Sequence, residues 1–174
     1  DRVVNIMEEG MDVAVRIGEL PDSSLSAIRV GTVRRVMFAS PDYLQEYGTP
    51  EHPTDLTQHR LIHSLAIATS GNWVFQENGK QISVKVPQRL RMNTNDAVIE
   101  LAAGGWGLSR LMSYQVAPYL PDKQLQLVLE DFETAPLPIH IVHGQGRRAS
   151  AKVRSFVDFM VERLRANKAL NPES

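Results

Sequence analysis

The sequence predicts an α/β fold with mainly parallel strand pairing and one local hairpin. Three observations carry this. Short runs of β-branched and apolar residues alternate with helix patterns for most of the chain, which is the signature of strands joined by helical crossovers. Asn78–Gly79 stands between two strand-like runs, a pair that meets the positive φ both central positions of a type I′ turn require. The stretch from Ser150 to Ala166 carries Val153, Phe156, Val157, Met160 and Leu164 at helical spacing.

Each element follows from local pattern. Val3, Val4, Ile6 and Met7 form a helical stripe that Gly10 stops. Val13, Val15 and Ile17 alternate with Asp12, Ala14 and Arg16, so a strand follows, ending in the polar corner Gly18 to Ser24. Residues 28–39 are β-rich. Ser40–Pro41 then places an N-cap and a first-turn proline on a helix that Gly48 ends. Thr54 is expected to cap a short helical turn, and Arg60 to Ser64 reads as a strand. The hairpin joins Asn72–Gln76 to Gln81–Val86. Leu90–Met92 is a strand, and Asn93–Thr94–Asn95 caps a helix from about Asp96 to Ala103. Trp106 to Leu111 reads as a strand after the glycine stop at Gly104–Gly105. A helix from Ser113 is broken near Pro118 and Pro121, and strands are expected around Leu125–Leu129 and Ile139–Ile141.

Composition narrows the function classes. Apolar residues make up 43% and charged residues 22%, the balance of a globular domain. A formal net charge of −1 supplies no global field for nucleic acid or an anionic membrane. The chain has no cysteine, which removes disulfide and thiol chemistry. No apolar run approaches the roughly 20 residues that span a bilayer.

Constellations of catalytic type are not found in the sequence. The five histidines His52, His59, His63, His140 and His143 lack metal-ligand spacing. Gly104–Gly105–Trp106–Gly107–Leu108–Ser109 is not a nucleophile elbow. Gly144–Gln145–Gly146 lacks the remaining residues of a dinucleotide or P-loop motif and reads as a strand-to-helix loop. Arg29, Arg34 and Arg35 read as a solvated polar face, because no aromatic residues interleave them. Trp73 and Phe75 face the same way on the hairpin and read as core. Two corners favour a ligand. Asn93–Thr94–Asn95 opens a helix, where backbone N–H groups and the dipole suit a carboxylate or similar anion, with a plain cap as the alternative. Ile17–Gly18–Glu19 lies at the carboxyl end of a strand, where open α/β sheets hold ligands.

The chain resembles the effector-binding domain of LysR-type transcriptional regulators. The resemblance rests on Glu9–Gly10–Met11–Asp12–Val13–Ala14–Val15–Arg16–Ile17–Gly18, Leu20–Pro21–Asp22–Ser23–Ser24–Leu25, Arg34–Arg35–Val36, Ala39–Ser40–Pro41–Asp42–Tyr43–Leu44, Thr49–Pro50 with His52–Pro53, and Asp55–Leu56. Asn95–Asp96–Ala97, Gly104–Gly105–Trp106–Gly107–Leu108 and the tail from Ser150 to Phe159 complete it. Each piece is weak alone, and their order over nearly the whole chain makes the match specific.

The resemblance implies a two-lobed fold like the type II periplasmic binding proteins, each lobe a mainly parallel sheet flanked by helices. Lobe I would hold residues 1–35 and 136–174, and lobe II residues 36–135. A small organic effector, a carboxylate by the helix-corner argument, would bind between the lobes without a cofactor or metal. By position its contacts would be Ile17, Gly18 and Glu19 from lobe I, and His63, Ser64, Asn93, Asn95, Gly107 and Leu108 from lobe II. The family's winged helix-turn-helix, its linker and the start of lobe I have no counterpart in the sequence. DNA would be bound only through that missing module, in a cytoplasmic homodimer or homotetramer of the full-length protein, with no membrane contact. A periplasmic solute-binding protein of the same fold is the alternative. An enzyme on this scaffold is weaker still for want of a nucleophile, metal or cofactor set.

Overall fold

The computed structural model describes residues 10–20, 25–65, 71–144 and 151–171. The helix expected from Val3 lies outside these residues. The chain divides into two compact units: a larger one, Arg34–Ala135, and a smaller one built from the segments before Arg34 and after Ala135.

In chain order, β1 (Val13–Ile17) and β2 (Leu25–Val33) precede the larger unit. β3 (Arg35–Ala39) opens it, and α1 (Pro41–Tyr47) follows because the Ser40 hydroxyl accepts the Tyr43 N–H at 3.2 Å. A 3₁₀ turn over Pro53–Gln58 leads to β4 (Leu61–Ser64). Its cap is His52 rather than the expected Thr54. The His52 Nδ1 lone pair accepts the Thr54 N–H at 3.3 Å, and the Asp55 carboxylate takes the His52 N–H at 2.9 Å. An imidazole acceptor thus does the work usually given to a hydroxyl.

β5 (Asn72–Glu77) and β6 (Lys80–Lys85) form the hairpin, with φ of 49° at Asn78 and 78° at Gly79. Next come β7 (Leu90–Met92), α2 (Asn95–Ala103), β8 (Leu108–Met112), α3 (Ser113–Val116), β9 (Gln126–Val128), β10 (Leu137–Gly144) and α4 (Ala151–Arg165). On α4 the buried position is Val157, while Phe156 is 50% exposed. One residue is 100° of helix rotation, so Phe156 turns away from the stripe it was expected to join.

Strand pairing departs from the mainly parallel expectation. In the smaller unit β10 lies between β1 and β2 and runs antiparallel to both. Leu137 at the start of β10 pairs with Val33 at the end of β2. The chain therefore leaves and re-enters this sheet at one end, and a strand that returns from the end at which its neighbour left must run antiparallel to it. The larger unit has the order β7-β4-β8-β3-β9. β4 is parallel to β7 and β8, whereas β3 is antiparallel to β8 and β9. Helical alternation predicts parallel pairing only where successive strands join one sheet through a crossover, as β7, α2 and β8 do around β4.

Side-chain alternation gives the larger unit's sheet two apolar faces. Met37, Leu61 and Leu108 pack with Trp73, Phe75 and Val84 of the hairpin. Val36, Phe38, Ile62 and Leu111 pack with Val98, Ile99 and Ala102 of α2. Burying a side chain such as Phe38 contributes about 1.5–3 kcal/mol.

Candidate functional site: a polar corner and a cationic face on one sheet

The corner at the carboxyl end of β4 is built from three segments. Leu65 donates its N–H to the Met92 carbonyl at 2.8 Å, which ties the ends of β4 and β7 together. Thr94 caps α2, its hydroxyl accepting the Ala97 N–H at 3.4 Å. Asn95 is therefore the first helical residue, one position earlier than the sequence reading placed the start. Its side chain turns into the protein, 5% exposed, against Ser64 at 8%. The Ser64 hydroxyl donates to Asn95 Oδ1 at 2.6 Å, a short bond. Asn93 is exposed on the loop just ahead of the cap. The corner thus sets a buried hydroxyl and amide at the N-terminus of α2, where the helix dipole favours an anion.

His63 is the residue before Ser64 and points to the opposite, hairpin-facing side. Its Nε2–H donates to the Pro87 carbonyl at 3.0 Å, and its ring lies 5.0 Å from Trp73. Burial, opposed by the Pro87 bond and reinforced by Arg91 and Arg110, lowers its pKa from the ordinary value of 6.5. The imidazole is neutral at neutral pH. Beside it Arg110 of β8 spreads over the rings of Trp73 and Phe75, at 5.0 and 5.3 Å from the ring centres. Arg110 Nη1 donates to the Val74 carbonyl at 2.8 Å. Burial, then the neighbouring Arg35, pushes the Arg110 guanidinium down to about 10. Sequence reading passed over Arg110. Its signal was a single cation between Leu108 and Leu111 in a strand otherwise free of charge.

Gly107 and Leu108 do not join the corner. β4 and β8 are parallel with Leu61 opposite Leu108, so this pair sits at the amino end of the strands. Ser64 is three residues further along β4, about 10 Å at the usual strand rise. Leu108 is fully buried in the core, and its N–H donates to the Arg60 carbonyl at 2.9 Å. A Cβ on Gly107 would collide with the Arg60 backbone, so glycine is required there for close packing. Ile17, Gly18 and Glu19 belong to the smaller unit. Ile17 ends β1 at 39% exposure, Gly18 donates its N–H to the Pro138 carbonyl at 2.9 Å, and Glu19 is exposed. Among the described residues no group of His, Asp and Glu could hold a metal ion, and no helix is long and apolar enough to cross a membrane.

Residues 1–165 match the family model described as the LysR substrate binding domain. An HTH-type transcriptional regulator of Xanthomonas campestris pv. campestris is 32% identical over 88% of this chain and 46% of its own length. The chain spans about half the length of the curated relatives it matches. The structure of CrgA, a LysR-type transcriptional regulator from Neisseria meningitidis, superposes with a TM-score of 0.80 at 26% identity, covering 94% of this chain and 55% of that one. The regulatory domain of AphB in Vibrio vulnificus gives 0.78 at 25% identity, covering 92% and 78%. With its parallel core around β4, its returning strand β10 and a family match over nearly its full length, the chain belongs to the LysR substrate-binding-domain family and has that family's type II periplasmic-binding-protein-like fold.

Proposed function

We propose that the chain is the effector-sensing part of a transcription regulator and recognises a small organic acid at the Ser64–Asn95 corner. The observation that carries this reading is the 2.6 Å hydrogen bond between two buried polar side chains at the carboxyl end of β4 and the first turn of α2. Asn93 flanks that corner, and Ile17, Gly18 and Glu19 are proposed as further effector contacts; His63, on the hairpin-facing side of the same strand, lies outside it. Residues 1–35 with 136–174 and residues 36–135 act as its two lobes. In the whole regulator DNA binding belongs to a helix-turn-helix module outside this sequence, in a cytoplasmic homodimer or homotetramer. The effector acts by favouring one arrangement of the regulator over another, which requires different affinities for the two.

A thermal-shift screen of small carboxylic acids tests the reading, since a ligand that binds only the folded form raises its stability. The expected result is a saturable rise in Tm with at least one acid. Asn93→Ala, an exposed change, should weaken that response at least severalfold without lowering the Tm of the unliganded chain. Wild-type affinity in Asn93→Ala and Ser64→Ala together removes the corner from the effector site.

A further inference from the structure

The Ser64–Asn95 corner does not use the cations on the other face of the same strands. Arg110 and Arg35 stand on the hairpin-facing side, diagonal neighbours across the β3–β8 pair, because Met37 is opposite Arg110 and Arg35 is opposite Met112. Among the described residues neither guanidinium has a carboxylate partner. The adjacent Arg34 does: it forms a two-pronged ion pair with Glu133 at 2.9 and 3.1 Å. Glu77, the acid on the hairpin itself, is taken by His52 at 3.1 Å. Two like charges thus share one face with their local acids engaged elsewhere, and Arg35 already disfavours the charged form of Arg110.

The orientation of Arg110 adds the second observation. Nη1 is spent on the Val74 carbonyl, and the guanidinium plane is held over Trp73 and Phe75. Nε and Nη2 make no hydrogen bond within the described residues, and neither is a buried unpaired atom. This pair is one edge of the planar fork, the edge that matches the two oxygens of a carboxylate. His63 packs on the Trp73 ring beside Arg110.

We infer that Arg110 and Arg35, backed by Trp73 and Phe75, form a second anion site for a small carboxylate on the hairpin-facing side of the sheet, apart from the Ser64–Asn95 corner. The fork of Arg110 takes the carboxylate side on, and Arg35 supplies the second positive charge. The competing assignment is that Arg110 only fastens the hairpin to the sheet.

Sodium benzoate is the probe and benzamide, of the same shape without the charge, is its control. The 174-residue chain is titrated with each in low-salt buffer, following tryptophan emission and Tm. Benzoate should change both in a saturable way and benzamide neither. Arg35→Gln should weaken benzoate at least threefold. Arg110→Lys, which keeps the charge and loses the planar fork, should weaken it at least tenfold. Arg89→Gln, an exposed cation elsewhere on the unit, should leave it unchanged. A response of equal size to benzamide, no response of the folded chain to benzoate, or wild-type affinity in Arg35→Gln and Arg110→Lys overturns the site. Should Arg110→Lys fail to fold, Arg35→Gln decides by itself, because Arg35 makes no side-chain bond that holds the hairpin.

Discussion

Ser64 and His63 are neighbours on β4, yet they serve opposite faces of one sheet with different chemistry. On the α2 side a hydroxyl and an amide satisfy each other and leave no formal charge buried. On the hairpin side a neutral imidazole and a guanidinium lie against the same indole ring, at the expense of desolvation. The first arrangement is directional and gains about 0.5–1.5 kcal/mol net per hydrogen bond. The second draws on apolar area and cation–π contact, which tolerate small shifts and carry more energy in total. An interior strand of a sheet can therefore build two unlike polar environments from consecutive residues.

Removing the indole should break the hairpin side most severely. Trp73→Ala is expected to cost about 3–5 kcal/mol in urea unfolding, because it leaves a cavity and takes away the ring under both His63 and Arg110. A loss below about 1 kcal/mol would show that the hairpin is not packed as described. On the α2 side Ser64→Ala should cost less, about 1–3 kcal/mol, as the amide Oδ1 of Asn95 loses its hydroxyl donor in a buried setting. An unchanged urea midpoint would mean that this bond is not formed in solution.

Acid should separate the two faces with the smallest effect. His63 and His59 both titrate below the ordinary imidazole value of 6.5 because burial disfavours their charged forms. The unfolded chain then binds more protons than the folded one as pH falls below 6.5. Stability is complete above that value and declines as pH drops through the lowered folded values. His63→Gln should reduce this acid sensitivity, read as the difference in Tm between pH 7.5 and pH 5. Ser64→Ala should leave the difference as it is, since no titrating group is lost. Equal sensitivity in wild type and His63→Gln would remove His63 from the explanation.

Much of the architecture was legible where the cause is local. Ser40–Pro41, Asn78–Gly79 and Gly104–Gly105 mark a cap, a turn and a stop through backbone geometry alone, and each stands where it was read. The pairing of Trp73 and Phe75 on one face followed from strand periodicity. Misreadings came from contacts distant in sequence. Thr54 looked like a cap until His52, held by Glu77 of the hairpin, took that role. The place of Gly107 and Leu108, against Arg60 and Leu61 and about three residues of strand from Ser64, was not legible either, because it depends on the register of two parallel strands.

The sequence by itself determined the elements, the hairpin turn and the family, because propensity, capping and ordered motifs act over a few residues at a time. Tertiary structure alone decided that β10 runs antiparallel between β1 and β2, that Ser64 meets Asn95 across 31 positions of chain, and that Arg110 lies on Trp73. The direction of β10 follows from the end at which the chain re-enters its sheet, while the two side-chain meetings depend on strand register, so a one-residue slip would turn Ser64 and Arg110 to the opposite faces.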